Sequence, residues 1–374
     1  MALIGTCFKL VGVLVAILAV GIGFLTTEYA KPVFKFIDQF EGSRGTFFKG
    51  MMPAFQEHEP WGFTHEELGK LNLKGEVIVV TGANVGLGYW TAHNIAGKTG
   101  ATVVLACRSK AKCDKAAKDI KKTYANAKVD AMTLDLGSFT SIRKFAKEFN
   151  NKYSMLDSLI LNAGIMVPPF RLTEDGLESQ IGVNHFGHFL LTDLLIPKLE
   201  KAAKEHGVAT VVPVTSAAHY DSYPIGIKPT IKEMNDESTY DRRFAYGQSK
   251  LANVLFAQEL AERYKSKNIL VNSVHPGGVD TELARHIVDD MDRLFGIDSI
   301  SKFVKSILER LMWTPEDASL TQIYAAVSDG IRKKKVTGKY FHPIARETVP
   351  DPHTRNKKMQ KHLWKITEEF IAKH

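Results

Sequence analysis

Cysteine is scarce in this chain of 374 residues: Cys7, Cys107 and Cys113 are all it has. Three thiols at those positions supply neither a disulfide framework nor metal-ligand spacing, which excludes a stapled secreted scaffold and a cysteine zinc site and points to a reducing compartment. No N-x-[ST] glycosylation acceptor occurs. The stretch "HEEL" at 65–68 is half of a metalloprotease motif without its second histidine. Charge is missing from most of the chain too. The formal net charge is +8, yet residues 331–374 alone hold 12 Lys/Arg against 4 Asp/Glu, a difference of +8, so the first 330 residues are neutral overall. That leaves no broad basic field for nucleic acid, and no motif for reading it is present. The basic tail can touch an anionic membrane surface. The reading favoured by the spacing of Met359, Leu363, Ile366 and Phe370 is a helix docked on the domain with a solvated basic face.

What the chain does have begins at its N-terminus. Residues 10–25, "LVGVLVAILAVGIGFL", form an uncharged apolar run. As a helix it covers about 24 Å, short of a hydrocarbon core of about 30 Å. The preceding "ALIGTCF" restores the length, with Lys9 able to snorkel to the headgroups. Glu28 stands where signal cleavage wants a small residue, so the expectation is an uncleaved anchor over 1–26. Lys31, Lys35 and Arg44 follow it and only Lys9 precedes it, which by the positive-inside bias leaves the domain cytoplasmic. A single-pass location in the endoplasmic reticulum membrane is expected. Residues 27–70 are a Phe-rich connector, and residues 71–374 one large domain.

From residue 76 on, short apolar runs alternate with longer amphipathic ones: "EVIVV", "ATVVLAC", "VDAMTLD", "LDSLILNA", "ATVVPVTS" and "NILVNSVHP". Strands alternating with helices predict an α/β fold of the Rossmann type, a doubly wound parallel sheet of about seven strands with helices on both faces, preceded by an N-terminal transmembrane helix. Pro213 lies in a run that reads as a central strand, where a missing N–H is costly, and a local distortion is expected there.

Directly after the first strand comes "TGANVGLGYW", which places Gly82, Gly86 and Gly88 in a G-x3-G-x-G spacing between strand and helix. A dinucleotide loop needs glycines for a tight turn, for close approach to pyrophosphate and for helix packing, with the phosphates at the helix N-terminus. Thr81 and Leu87 flank the same loop. An NAD site would offer a carboxylate at the end of the second strand; here "LACRSK" offers Arg108 and Lys110. A guanidinium suits a 2′-phosphate, so NADP(H) is favoured over NAD(H). Arg108 as a mere surface arginine is the alternative.

The order of motifs resembles the short-chain dehydrogenase/reductase family over roughly residues 70–285. "TLDL" with Asp135 and Leu136 is similar to the family's adenine contact. "LNAG" with Asn162, Ala163 and Gly164 is similar to its Asn-Asn-Ala-Gly motif, with Leu161 in first place. "GVNHFGHFLLT" carries Asn184, "VTS" Ser216, "YGQSK" Tyr246 and Lys250, and "HPGGVDTEL" Pro276, Gly277 and Thr281. "CRS", "VNHFGHFLLT" and "YGQSKLANVLFAQEL" look closest to the branch containing retinol dehydrogenases and the WW-domain-containing oxidoreductase.

The resemblance implies that Tyr246 exchanges a proton with the substrate oxygen, Ser216 holds that oxygen, Lys250 binds nicotinamide ribose, and Asn184 positions a water. Residues four apart share a helix face, and a nearby ammonium is expected to pull the phenol below its ordinary pKa of about 10. Tyr124 and Lys128 repeat the Y-x3-K spacing but precede any serine strand and are assigned to the surface. Ser216 as a simple strand end and Asn184 as the cap of a helix bend are the bland alternatives.

Two segments are left to shape a substrate pocket: residues 217–245, and residues 282–313, whose Phe303, Val304, Ile307, Leu308, Leu311 and Met312 form one apolar stripe. The latter is expected to be a lid packed on the core. With the anchor, this implies a lipophilic alcohol or carbonyl substrate such as a retinoid, steroid or long-chain aldehyde. A tethered cofactor-binding scaffold or redox sensor is the other class considered, and a homo-oligomer is left open.

Overall fold

The computed structural model describes residues 62–279 and 312–374. The anchor run, most of the connector, Thr281 and residues 303–311 of the lid stripe lie outside the described residues. Among the described residues, no helix is long and apolar enough to cross a membrane.

Six strands, β1 (Val77–Thr81), β2 (Thr102–Cys107), β3 (Lys128–Thr133), β4 (Ser158–Leu161), β5 (Ala209–Pro213) and β6 (Ile269–Val271), form one sheet in the order β3-β2-β1-β4-β5-β6. Every pairing in it is parallel. The crossovers are long helices: α1 (Gly86–Thr99), α2 (Lys110–Thr123), α3 (Phe139–Lys152), α4 (Gly187–His206) and α5 (Arg242–Tyr264), followed by α6 (Pro315–Val327) and α7 (Lys357–Ile371). Because side chains alternate along a strand, β1 sends Val79 to one face and Ile78 and Val80 to the other. On the first face, Phe145, Phe149, Leu195 and Leu255 of α3, α4 and α5 complete a core; on the second, Ile95, Ile120 and Ile323 of α1, α2 and α6 do so. A sheet covered on both faces explains why these strands read as continuous apolar runs rather than alternating ones.

The main sheet has six strands where about seven were expected, and three short strands among the described residues form a second sheet. "ILVNSV" breaks at Asn272, and its second half, β7 (Ser273–Val274), pairs in parallel with β8 (Tyr340–His342), which turns back into β9 (Arg346–Thr348). The distortion expected at Pro213 falls instead in the neighbouring strand, at this break, while β5 stays regular through the proline. Val214 N–H bonds β4 at Leu161 O, and Thr215 N–H bonds Val274 O. Since amides alternate sides along a strand, the donor that Pro213 lacks faces the point where β6 gives way to β7.

One expectation is corrected. Cys107 and Cys113 are joined as a disulfide, with their Cα atoms 5.8 Å apart. Cys107 ends β2 and Cys113 lies in the first turn of α2, so a tight strand-to-helix turn brings together thiols whose spacing had suggested no partner. The cysteine count therefore carries no reading of the compartment.

The basic C-terminal segment is the docked helix that its spacing favoured. In α7, Leu363 and Trp364 are buried. Trp364 packs edge-on to Phe189, stacks on Phe256, and carries Arg263 over its ring at 4.2 Å.

Candidate active site

The parallel order reverses between β1 and β4, and loops leaving the carboxyl ends of those strands meet there, the usual position of a ligand crevice in an open α/β sheet. Gly82 and Gly86 adopt φ of +66° and +56°. A Cβ on Gly88 would lie 2.5 Å from both Gly82 O and Asn162 Nδ2, so strand end, helix start and the "NAG" loop close on one another only with glycine present. Val85 caps α1 with no side-chain hydrogen bond. The first amides of α1 therefore remain available to an anion, and the bare backbone leaves room for a pyrophosphate.

Thr81 organises this cradle. Its hydroxyl accepts the Ala163 N–H at 2.9 Å and contacts His188 Nε2 at 3.0 Å, while Asn162 Nδ2 donates to Thr81 O at 2.8 Å. His188 Nδ1 faces Asn184 O, which only accepts, so Nδ1 carries the proton and Nε2 receives the Thr81 hydroxyl. Burial lowers the His188 pKa to about 3, which keeps the ring neutral. Asp135 Oδ1 accepts the Gly137 N–H, and Leu136 packs against Gly187, fixing the turn after β3. Arg108 is exposed at the end of β2 and has no ion pair among the described residues, whereas Lys110 is paired with Asp114. On the far side, Gly277, at φ +93°, passes against Trp313 and Pro343, just after Pro276.

The structure brings Ser216, Tyr246 and Lys250 together beside this cradle. Tyr246 and Lys250 lie one turn apart on α5, 6% and 3% exposed, with Lys250 Nζ 5.6 Å from the Tyr246 ring centre. Lys250 Nζ donates to Val214 O at 3.1 Å, and Lys250 O accepts the Thr215 hydroxyl at 2.7 Å, so the end of β5 holds the lysine at both ends. Asn184 sits in a π-helical turn, Gly182–Phe186, leading into α4. Its amide bonds both Ile165 N–H and Ile165 O, and donates to Ser249 Oγ, which in turn donates to Tyr246 O. A Cβ on Gly164 would lie 3.1 Å from Asn184 Oδ1 and 3.4 Å from Lys250 Nζ. That glycine keeps the space between them open.

The electrostatics depart from the expected tuning. Burial pushes the Tyr246 phenol up to about 12, against a smaller downward pull from its hydrogen bond with Ser216, and burial lowers Lys250 to about 8. Desolvation, which penalises both charged forms, outweighs the attraction expected between phenolate and ammonium. At neutral pH the site presents a protonated phenol beside a protonated lysine.

His219 was missed by the sequence reading. Its Nδ1 donates to Ser216 O at 2.7 Å, and its Nε2 accepts the Asp351 N–H at 3.1 Å. Burial lowers its pKa to about 4, so it acts as a neutral strut fixing the serine backbone. Its only signal was its place three residues after Ser216, which spacing rules for catalysis do not weigh. The decoy pair is separated: Tyr124 caps α2 and lies against Gly97, while Lys128 opens β3 and is exposed. His65, in a one-turn helix, contacts Asp317 and Lys98. The 217–245 segment is a folded insert, in which the Tyr240 hydroxyl donates to Pro168 O and its ring meets Phe170 at 5.2 Å, walling the loop after "NAG".

Comparison with known proteins agrees with this geometry. The family model for short chain dehydrogenase matches residues 76–227 and 231–292. The chain is 40% identical to human retinol dehydrogenase 12 over 304 residues, which is 81% of this chain and 88% of that protein, and 38% identical to human retinol dehydrogenase 13 over 81% and 86%. Among solved structures, an uncharacterized protein of Mycobacterium paratuberculosis is 31% identical with a TM-score of 0.61, over 83% of this chain and 98% of that one. The fold is shared with the RhlG/NADP complex of Pseudomonas aeruginosa, at 23% identity and a TM-score of 0.56, over 74% and 97%. The chain belongs to the short-chain dehydrogenase family, and it is an NAD(P)-dependent oxidoreductase acting on alcohol groups.

Proposed function

We propose that this protein is a membrane-anchored oxidoreductase that interconverts a lipophilic alcohol, of the retinoid, steroid or long-chain type, with its aldehyde or ketone using NADP(H). The observation that carries the reading is the convergence of Ser216, Tyr246 and Lys250 beside a glycine cradle at the carboxyl edge of the sheet. Thr81, Gly82, Gly86, Leu87 and Gly88 with Asn162, Ala163 and Gly164 would hold the dinucleotide, Asp135 and Leu136 its adenine end, and Pro276, Gly277 and Thr281 its nicotinamide end. Arg108 would meet the 2′-phosphate. The cofactor supplies or accepts the hydride.

In reduction, Ser216 and Tyr246 both donate to the substrate oxygen. Tyr246 gives up its proton as negative charge develops there, which its high pKa permits only if the resulting phenolate is stabilised at once. Lys250, whose ammonium is buried one turn away, provides that stabilisation. Asn184 holds the backbone of this turn through Ser249, and would position a water by which Lys250 exchanges protons with solvent. In oxidation the same groups run in reverse. Similarity to retinol dehydrogenases supports the lipophilic substrate class, and the uncharged run at 10–25 supports the anchor.

Tyr246→Phe keeps the ring and removes the acid. Turnover of a lipophilic aldehyde should fall by about 10²–10⁴-fold, with NADP affinity kept. A variant that turned over at the wild-type rate would defeat the assignment, and one that lost turnover along with cofactor binding would move the role of Tyr246 from proton transfer to packing. A cofactor-bound wild type with no turnover on any lipophilic alcohol or carbonyl would favour the scaffold class instead.

A further inference from the structure

Beside the active-site edge, two segments far apart in sequence share one surface. The loop after Ser216 meets the stretch joining β9 to α7: the Tyr220 hydroxyl donates to Val349 O at 2.6 Å, Gly226 lies against His353 and Met359, and His362 contacts Pro229 O at 2.7 Å. Between them runs a groove of about 470 Å³ lined by Ile227, Pro229, Asn356, Lys358, Met359 and His362. The two most exposed large apolar side chains among the described residues, Ile225 and Val349, each 57% exposed, stand on these two segments. Around them, Arg355, Lys357, Lys358, Lys361 and Lys365 are all exposed. Lys357 is paired with Glu262 and Lys365 with Glu369, whereas Arg355, Lys358 and Lys361 form no ion pair among the described residues.

Solvated helix faces commonly carry lysines, and scattered exposed apolar residues need no explanation. Here the two coincide, and the path of the chain gives the coincidence a direction. Gly62 N–H bonds Ile344 O at 3.1 Å in the turn between β8 and β9. The first described residue is therefore held at this turn. From Ala345 to Val349 is four residues of mainly extended chain, about 13 Å. The turn that holds Gly62 and the patch thus belong to one short stretch of chain.

We propose that this patch is a second membrane contact: Ile225 and Val349 enter the headgroup layer while Arg355, Lys358 and Lys361 bind anionic phospholipid. It rests on the reading of an anchored enzyme and adds an orientation to it, with the crevice edge held toward the bilayer, from which a lipophilic substrate arrives. An anionic lipid surface is favoured over an acidic protein because exposed aliphatic residues beside unpaired cations suit an interface that is apolar a few ångströms below its charge.

The test is hydrogen exchange by mass spectrometry on the full chain, in nanodiscs of phosphatidylcholine alone and of phosphatidylcholine with phosphatidylserine. Exchange in 223–230 and 349–361 should slow severalfold in the anionic discs relative to the neutral ones. Lys358→Glu/Lys361→Glu should lose that difference while keeping wild-type turnover of a short water-soluble aldehyde. Equal exchange of the wild type in both discs, or equal slowing in the double variant, would overturn the proposal. So would slowing by added polyglutamate but not by anionic discs, which would assign the patch to an acidic protein. The anchor is judged separately: co-purification with neutral discs reports the N-terminal run, and association with anionic discs only would reject that run and retain the patch.

Discussion

Lys250 is the residue whose titration should be visible in the chemistry. Its pKa of about 8 lies within the working range, whereas Tyr246, at about 12, stays protonated throughout it. Carbonyl reduction needs both protons in place, so kcat/KM for reduction should be flat below neutrality and fall as pH rises through about 8. The linked stability effect has the opposite sign. Between about 8 and the ordinary lysine value of 10.5, the folded state holds less of this proton than the unfolded one, so the burial penalty lessens and stability from this group rises with pH. Lys250→Met should abolish turnover and flatten that part of the pH dependence of urea unfolding. At the other end of the cofactor, Arg108→Asp should lower affinity for NADP relative to NAD by about 10–100-fold, the loss of one charge-assisted hydrogen bond worth about 1.5–3 kcal/mol, as read by fluorescence titration. The placement of Gly82 and Gly88 in one tight turn and of Tyr246 and Lys250 on one helix face was legible in the sequence because residue type and spacing carry it. His219 and Ser249 were not, because their function consists of hydrogen bonds that exist only after distant segments meet.

At the scale of elements, α5 and α7 show how packing holds the site. α5 is buried along most of its length, including Leu251, Val254, Leu255 and Phe256 behind Tyr246 and Lys250, and α7 covers the outer side of α5 and α4 through Trp364. Trp364→Ala should destabilise the protein by about 3–5 kcal/mol, measured by chemical denaturation, with substrate affinity unchanged in the fraction that remains folded. The periodicity of Met359, Leu363, Ile366 and Phe370 showed that a helix docks here, but not where it docks, since an apolar stripe specifies a face and not its partner. Pro213 shows the converse. Its cost was read correctly from the sequence, yet the structure meets that cost by breaking the neighbouring strand at Asn272 and leaving β5 regular up to the proline. The disulfide between Cys107 and Cys113 went unseen because a spacing of six becomes proximity only when a strand-to-helix turn falls between the two residues.

Across the whole molecule, a parallel sheet closed on both faces by helices sets the active site where its order reverses, and the strand alternation in the sequence foretold this layout. The division of the last strands into β6 and the β7-β8-β9 sheet was hidden, because one apolar run contains both β6 and β7. The glycine cradle, Tyr246 and Lys250 all lie along one edge of the sheet, which is the arrangement that the proposed joint transfer of a hydride and a proton requires. Deuterium tracing tests this joint action most directly. With NADPH deuterated at the transferring position of C4 and a lipophilic aldehyde, the wild-type protein should yield an alcohol carrying one deuterium on its carbinol carbon, and Tyr246→Phe should yield almost none. An alcohol without deuterium from the wild type, or full labelling at an undiminished rate by Tyr246→Phe, would contradict hydride transfer assisted by that tyrosine.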